Sequence, residues 1–284
     1  MTDGDRRDGA LVLVATPIGN LGDLSPRAVA TMAAAALVCA EDTRRVAKLF
    51  AHAGIAKVPV VVTNEHTELS RIPTVLATLA DGGDVVLVSD AGTPGVSDPG
   101  HRLVSAVLDA GYAVSIVPGP VAAVSALVIS GLPSARFVVE GFLPRSGRVR
   151  ARRLDELAAE RRTTVLYEAP HRIVRTLADL TAACGPDRPV VVVRELTKRF
   201  EEVLRSTLGS IDVGEPRGEY VVVLGGAADD AAPPDDETIR DAVRVQLDGG
   251  AGTNDAASTV AKALGIPKRQ AYSIALSTLR SDHD

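Results

Sequence analysis

The sequence predicts an α/β protein followed by a small helical module, and three observations support this fold class. Short apolar runs recur between residues 11 and 224, as expected for strands that are buried on both faces. Segments with a helical pattern, several of them ending near glycine, lie between these runs. Strands that alternate with helices indicate a mainly parallel sheet.

In chain order, the strand pattern occurs at residues 11–15, 59–62, 85–88, 113–117, 163–167, 189–193 and 220–224. Ser25 followed by Pro26 is typical of an N-cap and a first helical residue, so we expect a helix from there to about residue 35. Further helices are expected over residues 43–53, 68–80 and 100–110. Residues 141–145 are predicted to be a loop.

Changes in composition predict four segments. We expect an N-terminal α/β lobe at residues 1–128 and a C-terminal α/β lobe at residues 129–226. Residues 227–237 are rich in Ala, Pro and Asp and are predicted to be a linker. The remainder, residues 238–284, has a helix-turn-helix pattern. Such a module could contact RNA, or it could simply pack as a small domain.

Composition limits the protein's class and partners. The net charge of −5 gives no overall basic field for nucleic acid, so any RNA contact must come from local patches. Two cysteines, Cys39 and Cys184, provide neither a disulfide framework nor a zinc site, and we expect no bound metal. Because no apolar stretch reaches membrane-spanning length, we expect a cytoplasmic protein that makes no membrane contact.

Three loops that follow predicted strands carry the strongest signals for a ligand. Residues 89–100 contain three glycines, two prolines and two aspartates, far more than a minimal connection needs. Residues 16–25 and 118–127 also combine glycine and proline at strand ends, although each could be only a tight turn. Ligands of parallel sheets bind at the carboxyl ends of the strands. The common dinucleotide, P-loop and nucleophile-elbow motifs are missing.

These loops resemble the tetrapyrrole methylase superfamily. The resemblance rests on residues 17–20, 90–100 and 118–120, but Gly92-Thr93-Pro94 replaces that superfamily's usual Gly-Asp-Pro. Residues 89–94, Ser-Asp-Ala-Gly-Thr-Pro, are similar instead to the branch of 16S ribosomal RNA cytidine 2'-O-methyltransferases. Further matching segments lie at 40–44, 64–66, 130–133, 141–145, 167–172 and 194–198.

The resemblance implies a two-lobed fold with S-adenosylmethionine bound between the lobes. It also implies a homodimer that methylates the 2'-hydroxyl of a cytidine in the decoding region of the small ribosomal subunit. The loops and the resemblance together predict these cofactor-binding residues: Pro17, Asp90, Ala91, Gly92, Thr93, Val96, Ala122, Tyr167 and Glu219.

A ribose hydroxyl becomes a good nucleophile only when its proton is accepted, so a base or polar partner is expected. Two adjacent carboxylates, Glu41 and Asp42, follow an apolar run and are predicted to be catalytic. The alternative is that Asp42 or Thr43 caps the next helix. Other candidates for the base are His66, Glu168, His171 and Glu195.

Arginines are concentrated at residues 145–153, where no acidic residue interrupts them. We expect this segment to contact the RNA backbone, although a solvated helix face paired with later acids is the alternative. The predicted RNA-binding residues are Arg44, Arg145, Arg148, Arg150, Arg172 and Lys198.

Two other functions are compatible with parts of the sequence. A tetrapyrrole-type small-molecule methyltransferase would share the fold, but the Gly92-Thr93-Pro94 segment and the arginine cluster argue against it. A non-catalytic transcription factor would explain the C-terminal helices but not the ligand-type loops.

Overall fold

The structure is a computed structural model, and it describes residues 8–228, 234–264 and 266–281. Residues 229–233 of the predicted linker and Gly265 of the predicted turn lie outside the described residues. Contacts divide the chain into two compact units, one ending at Ala227 and the other beginning at Ala228.

The first half of the larger unit is a five-stranded parallel sheet in the order β3-β2-β4-β1-β5. Its strands are β1 Ala10–Val14, β2 Leu37–Ala40, β3 Val60–Val62, β4 Val85–Val88 and β5 Ala113–Val117. The connecting helices are α1 Pro26–Ala34, α2 Thr43–Ala53, α3 Glu68–Ala80 and α4 His101–Asp109. A separate apolar core lies on each face of the sheet, which explains why the strand residues are apolar at consecutive positions.

Local sequence determines where the first two helices begin. The Ser25 side chain accepts a hydrogen bond from the Ala28 N–H at 3.1 Å, and Pro26 is the first residue of α1. The α2 helix begins after Asp42 and ends at Gly54 in a left-handed conformation. The predicted starts of α1 and α2 are therefore confirmed.

The second half of this unit contains a mixed sheet in the order β6-β7-β10-β8-β9. Its strands are β6 Phe137–Phe142, β7 Thr163–Glu168, β8 Pro189–Arg194, β9 Glu202–Thr207 and β10 Tyr220–Leu224. Helix α5, Ala122–Ser130, packs on one face, and α6, Gly147–Ala159, and α7, Ile173–Cys184, pack on the other.

Two predictions about this second sheet are wrong. The expectation of mainly parallel strands fails because β10 lies between β7 and β8 and runs antiparallel to both, while β8 and β9 form a further antiparallel pair. The predicted loop at 141–145 also begins with the last two residues of β6, Gly141 and Phe142. The predicted lobe boundary at 128/129 falls inside α5 and stays a prediction.

The smaller unit contains three helices among its described residues: α8 Asp236–Asp248, α9 Thr253–Leu264 and α10 Lys268–Ser281. Apolar residues from all three pack into one core, among them Ile239, Val260 and Ala271. The predicted C-terminal helices are therefore present. Within the described ranges of the whole chain, no helix is both long and apolar enough to cross a bilayer.

Candidate active site

Backbone hydrogen bonds hold the three predicted ligand loops together at the carboxyl ends of β1, β4 and β5. Thr16 and Gly92 exchange two of them, at 2.8 and 3.1 Å. The Thr16 hydroxyl donates to the carbonyl of Ser89 at 3.2 Å, and the Thr93 hydroxyl donates to the carbonyl of Pro120 at 3.3 Å. The loops therefore form one connected edge rather than three independent turns.

Gly92 lies at the centre of this edge in a conformation that favours glycine, with φ +84°. A Cβ atom there would lie 3.3 Å from Ile18 Cγ2 and 3.6 Å from the carbonyl oxygen of Pro120. A larger residue would therefore be strained and would push against both neighbouring loops.

A cavity of about 400 Å³ lies between this edge and the ends of the second sheet. Its volume is within the usual range for a small-ligand site. Eight of the nine predicted cofactor residues line it, namely Asp90, Ala91, Gly92, Thr93, Val96, Ala122, Tyr167 and Glu219. Pro17 lines a neighbouring cavity of about 280 Å³, together with Arg45, Lys48 and Asp90.

Tyr167 forms an apolar wall of the larger cavity. Its hydroxyl accepts a hydrogen bond from the Ala123 N–H at 3.3 Å, at the start of α5. Its ring lies against Phe142, with ring centroids 5.6 Å apart. Burial raises the pKa of the Tyr167 phenol, so the ring is neutral near pH 7. Together with Val121 and Ala122, it makes one side of the cavity suitable for a flat ring.

Three carboxylates lie at or next to the cavity. Asp90 and Asp98 line the cavity, and Glu41 lies beside them. Burial raises the pKa of Asp98 to about 6, with the nearby charge of Asp90 adding to the effect. Burial, followed by the charges of Asp98 and Asp90, raises the pKa of Glu41 to about 7. The Oε1 atom of Glu41 is buried and has no hydrogen-bond partner among the described residues.

Asp42 has a different environment from its neighbour Glu41. Its Oδ1 atom accepts hydrogen bonds from the N–H of Arg44 at 2.8 Å and from Arg44 Nε at 3.1 Å, and its Oδ2 from Arg44 Nη2 at 2.8 Å. These bonds lower the pKa of Asp42 to about 2. Asp42 is therefore the N-cap of α2 and a weak proton acceptor, and its predicted catalytic role stays a prediction that this environment does not favour. Arg44 is also paired in this arrangement.

The arginines at residues 145–153 do not share one environment. Arg145 and Arg148 are exposed, and the structure shows no carboxylate partner for either among the described residues. Arg150 is only 4% exposed and donates to Asp179, to the Pro144 carbonyl and to Thr176 at 2.9–3.0 Å. Its predicted contact with RNA is wrong, because the fold uses its whole guanidinium group.

Two further predicted RNA-binding residues lie at or near the cavity. Arg172 is bound to Glu168 at 3.1 Å and to the carbonyl of Leu143, so it holds β7 to the chain after β6, and its predicted RNA contact stays a prediction. Lys198 lines the cavity and donates to Glu195 at 2.9 Å and to Glu219 at 2.7 Å. Its ammonium group therefore positions the predicted cofactor residue Glu219.

Comparison with known proteins decides the family. The family model described as "Tetrapyrrole (Corrin/Porphyrin) Methylases" matches residues 10–212. The chain belongs to the tetrapyrrole methylases. The resemblance seen in the ligand loops is thus confirmed, and the match includes both sheets up to the loop before β10.

Curated relatives of this tetrapyrrole methylase match it over nearly their whole length. A Synechocystis sp. protein is 43% identical over 94% of this chain and 98% of its own. Relatives from Mycobacterium tuberculosis and Escherichia coli O157:H7 are 44% and 38% identical, each over 96% of both chains. All three are named ribosomal RNA small subunit methyltransferase I.

Solved structures of similar proteins show the fold. The methyltransferase CobJ is 24% identical, with a TM-score of 0.59 over 78% of this chain and 95% of its own. Uroporphyrin-III C-methyl transferase from Thermus thermophilus, complexed with S-adenyl homocysteine, is 21% identical, with a TM-score of 0.52 over 76% of this chain and 97% of its own.

Some residues of this tetrapyrrole methylase's cavity were not predicted individually. Asp98 lies within a predicted ligand loop, but the sequence does not show that burial raises its pKa to about 6. Phe142 falls in the segment predicted to be a loop. Arg45 lines both cavities and forms an ion pair with Asp90 at 3.3 Å. Its position next to the predicted RNA-binding residue Arg44 was the one sequence signal that it belongs to the site.

Proposed function

We propose that this chain methylates the ribose 2'-hydroxyl of a cytidine in the decoding region of 16S ribosomal RNA, using S-adenosylmethionine. The observation that carries the proposal is the set of full-length relatives named ribosomal RNA small subunit methyltransferase I. The choice of a cytidine 2'-hydroxyl rests on the similarity of residues 89–94 to that branch of the family.

The cavity fits the cofactor. The backbone at Gly92 lines the cavity, Tyr167 and Ala122 offer a flat apolar wall, and the carboxylate of Asp90 can accept hydrogen bonds from an amine or a ribose. We assign cofactor binding to Asp90, Ala91, Gly92, Thr93, Val96, Ala122, Tyr167 and Glu219, with Pro17 at the adjoining cavity. S-adenosylmethionine supplies a methyl group that its sulfonium already activates, so the chain must mainly orient the hydroxyl and accept its proton.

The carboxylates Glu41 and Asp98 are the proton acceptors that we propose. Asp98 faces the cavity, where it can reach a hydroxyl group, and Glu41 lies behind it. Their pKa values, about 7 for Glu41 and about 6 for Asp98, are close to physiological pH, where a general base works best. Asp42, with a pKa of about 2, binds protons too weakly for this role.

The RNA backbone is the proposed partner of exposed cations around the cavity. Arg145 and Arg148 remain available after the buried Arg150 is excluded, and Arg172 can contribute only if its partner Glu168 is exchanged for phosphate. Arg45 and Lys48 line the adjoining cavity and can contact a phosphate next to the target nucleotide. Arg44 and Lys198 can contribute only if their carboxylate partners are exchanged for phosphate.

We propose a homodimer in which a second copy covers an exposed apolar surface. The surface includes Ile116 on the edge strand β5 and Phe137 and Val139 on the edge strand β6. Helix α5 adds the exposed residues Val124, Val128 and Ile129. Exposed apolar side chains on two sheet edges and one helix are typical of a protein–protein contact. Sedimentation should give the mass of two chains, and V128E should shift it toward one.

We also propose that the protein acts in the cytoplasm, where ribosomal subunits are present.

Transfer of tritium from labelled S-adenosylmethionine tests the function. Small subunits from cells that lack this methylation, naked 16S RNA and uroporphyrinogen III would each be offered to the wild-type protein. We expect label in small-subunit RNA and none in the porphyrinogen. Label in the porphyrinogen alone would favour a tetrapyrrole reaction of the kind for which the Thermus thermophilus enzyme is named.

A further inference from the structure

Strand β6 contains an extra residue just before it reaches the cavity. Val139 pairs with Val165 of β7, but the next paired residue, Leu166, is opposite Gly141. Glu140 is therefore a β-bulge, and Phe142 pairs with Tyr167. With regular pairing, Gly141 would lie opposite Tyr167 instead. The bulge thus places a second aromatic ring next to the tyrosine of the cavity wall.

Contacts on both sides keep the bulge in place. Arg153 of α6 donates to both carboxylate oxygens of Glu140, at 2.8 and 2.9 Å, and the Glu140 side chain is only 9% exposed. Gly141 has φ +74°, and a Cβ atom there would lie 3.1 Å from the Ser97 hydroxyl oxygen. The position of Phe142 is consequently fixed by α6 and by the loop at 89–100.

The Phe142 ring is left partly free by this arrangement. One side is tilted against Tyr167, with an interplanar angle of 44°, while the residue as a whole is 54% exposed and lines the cavity. The chain has only four phenylalanines, four tyrosines and no tryptophan. Phe137, Phe200 and Tyr272 are also exposed, but of these four rings Phe142 is the one that lines this cavity, and a half-exposed ring at a ligand cavity indicates a partner with a flat face.

We propose that Phe142 stacks on the base of the nucleotide to be methylated and so positions its ribose at Asp98. This inference rests on the proposed function and names the group that recognises the substrate. Proteins read unpaired RNA bases by stacking them on aromatic side chains, and the face of any base satisfies such a contact. Phe142 is then a positioning residue, while proton transfer belongs to the carboxylates.

The absence of tryptophan makes a direct binding test possible, since F142W introduces the single indole of the chain. The probe is a nine-nucleotide single-stranded RNA with a central cytidine, compared with the same strand lacking that base. We expect fluorescence quenching by the cytidine strand and markedly less by the abasic strand. F200W is the matched control, because Phe200 is 66% exposed but lines a different cavity. Equal quenching by both strands in F142W would overturn the proposal.

Kinetics on small ribosomal subunits give the second readout. F142L keeps an apolar side chain without a ring and should raise KM by about 10-fold, the loss expected when one stacking contact is removed. F142W should restore KM, F200L should leave it unchanged, and the affinity of F142L for S-adenosylmethionine should equal that of the wild type.

An unchanged KM in F142L, or an equal rise in F200L, would overturn the stacking role, as would conversion of F142L to a monomer. If the wild-type protein methylates no RNA while F142W is still quenched in a base-dependent way, the proposed reaction fails and the binding inference stands.

Discussion

The loops after the first sheet and the strand ends of the second sheet line the same cavity with different parts of the chain. The loops after the first sheet are held together by backbone, since Thr16 and Gly92 pair through their peptide groups and glycine at position 92 lets the loops approach one another, and they carry the carboxylates Asp90 and Asp98. The second sheet contributes side chains, above all Tyr167, Phe142 and Lys198. Loops that pair through their backbone need residue types such as glycine at defined positions, and these can be recognised in the sequence. The side chains that meet in the second sheet are determined by how its strands pair, as Phe142 and Tyr167 do.

The largest effect that would test this contrast is expected at Gly92. G92V combines an unfavourable φ with contacts to Ile18 and Pro120, so it should lower the affinity for S-adenosylmethionine by about 10²-fold while the protein stays folded. Titration calorimetry and circular dichroism would measure the two properties. G95V is the control, because Gly95 has a similar φ of +80° but no described atom lies within 4 Å of its Cβ position. Equal losses in both variants would mean that strain alone, and not the packing of the edge, is responsible.

The second prediction compares two aspartates. D98N should lower the turnover number by ~10²–10⁴-fold through loss of a general base, with cofactor affinity preserved. D42N should keep most activity, since asparagine also caps a helix well. In the wild type, turnover should rise with pH through about 6 to 7, as Asp98 and Glu41 ionise. Full activity in D98N would exclude Asp98 as the base and leave Glu41, with Glu168 and His171 as the next candidates.

The arginine segment allows a comparison between exposed and buried members. Replacing both Arg145 and Arg148 by glutamine should weaken RNA binding and reduce the salt dependence of log K by about 1 to 2. R150Q should instead lower the free energy of unfolding by roughly 1.5–3 kcal/mol, because it removes the hydrogen bonds that the buried guanidinium group donates to Asp179 and Thr176. Filter binding at several salt concentrations and urea unfolding would separate the two effects. An unchanged salt slope in the double variant would mean that this face is only solvated.

The smallest predicted effect concerns stability and pH. The pKa of Glu41 is raised from 4.5 to about 7 in the folded protein. Its favourable contribution to the free energy of unfolding is therefore complete below about pH 4.5 and is lost as the pH rises through 7. E41Q cannot ionise and should escape this loss. Its melting temperature should match that of the wild type near pH 4 and exceed it by about 2–4 °C at pH 8, the shift that 1 kcal/mol typically produces in a protein of about 150–250 residues. A difference that is constant with pH would contradict the buried-carboxylate account.

The same contrast explains what could be predicted from the sequence. The parallel sheet, the ligand loops and the helix caps follow from apolar runs, glycine and proline, which act locally. The bulge at Glu140 and the burial of Arg150 depend on partners 13 and 29 residues away, so neither has a local signature. Strands β6 and β9 were missed because their residues are partly exposed rather than continuously buried and apolar. Glu41 and Asp42 are adjacent in sequence, yet only the folded chain shows that their pKa values differ.

The central claim is that the transferred methyl group is attached to the ribose of a cytidine. Small subunits from cells lacking the methylation would be incubated with the wild-type protein and isotopically labelled S-adenosylmethionine, with D98N as the inactive control. The RNA would then be digested to nucleosides and separated by chromatography with mass detection. We predict that the label appears in 2'-O-methylcytidine, at one position of the decoding region, and that D98N produces almost none. Label in a base-methylated nucleoside, or in the ribose of another nucleotide, would contradict the account.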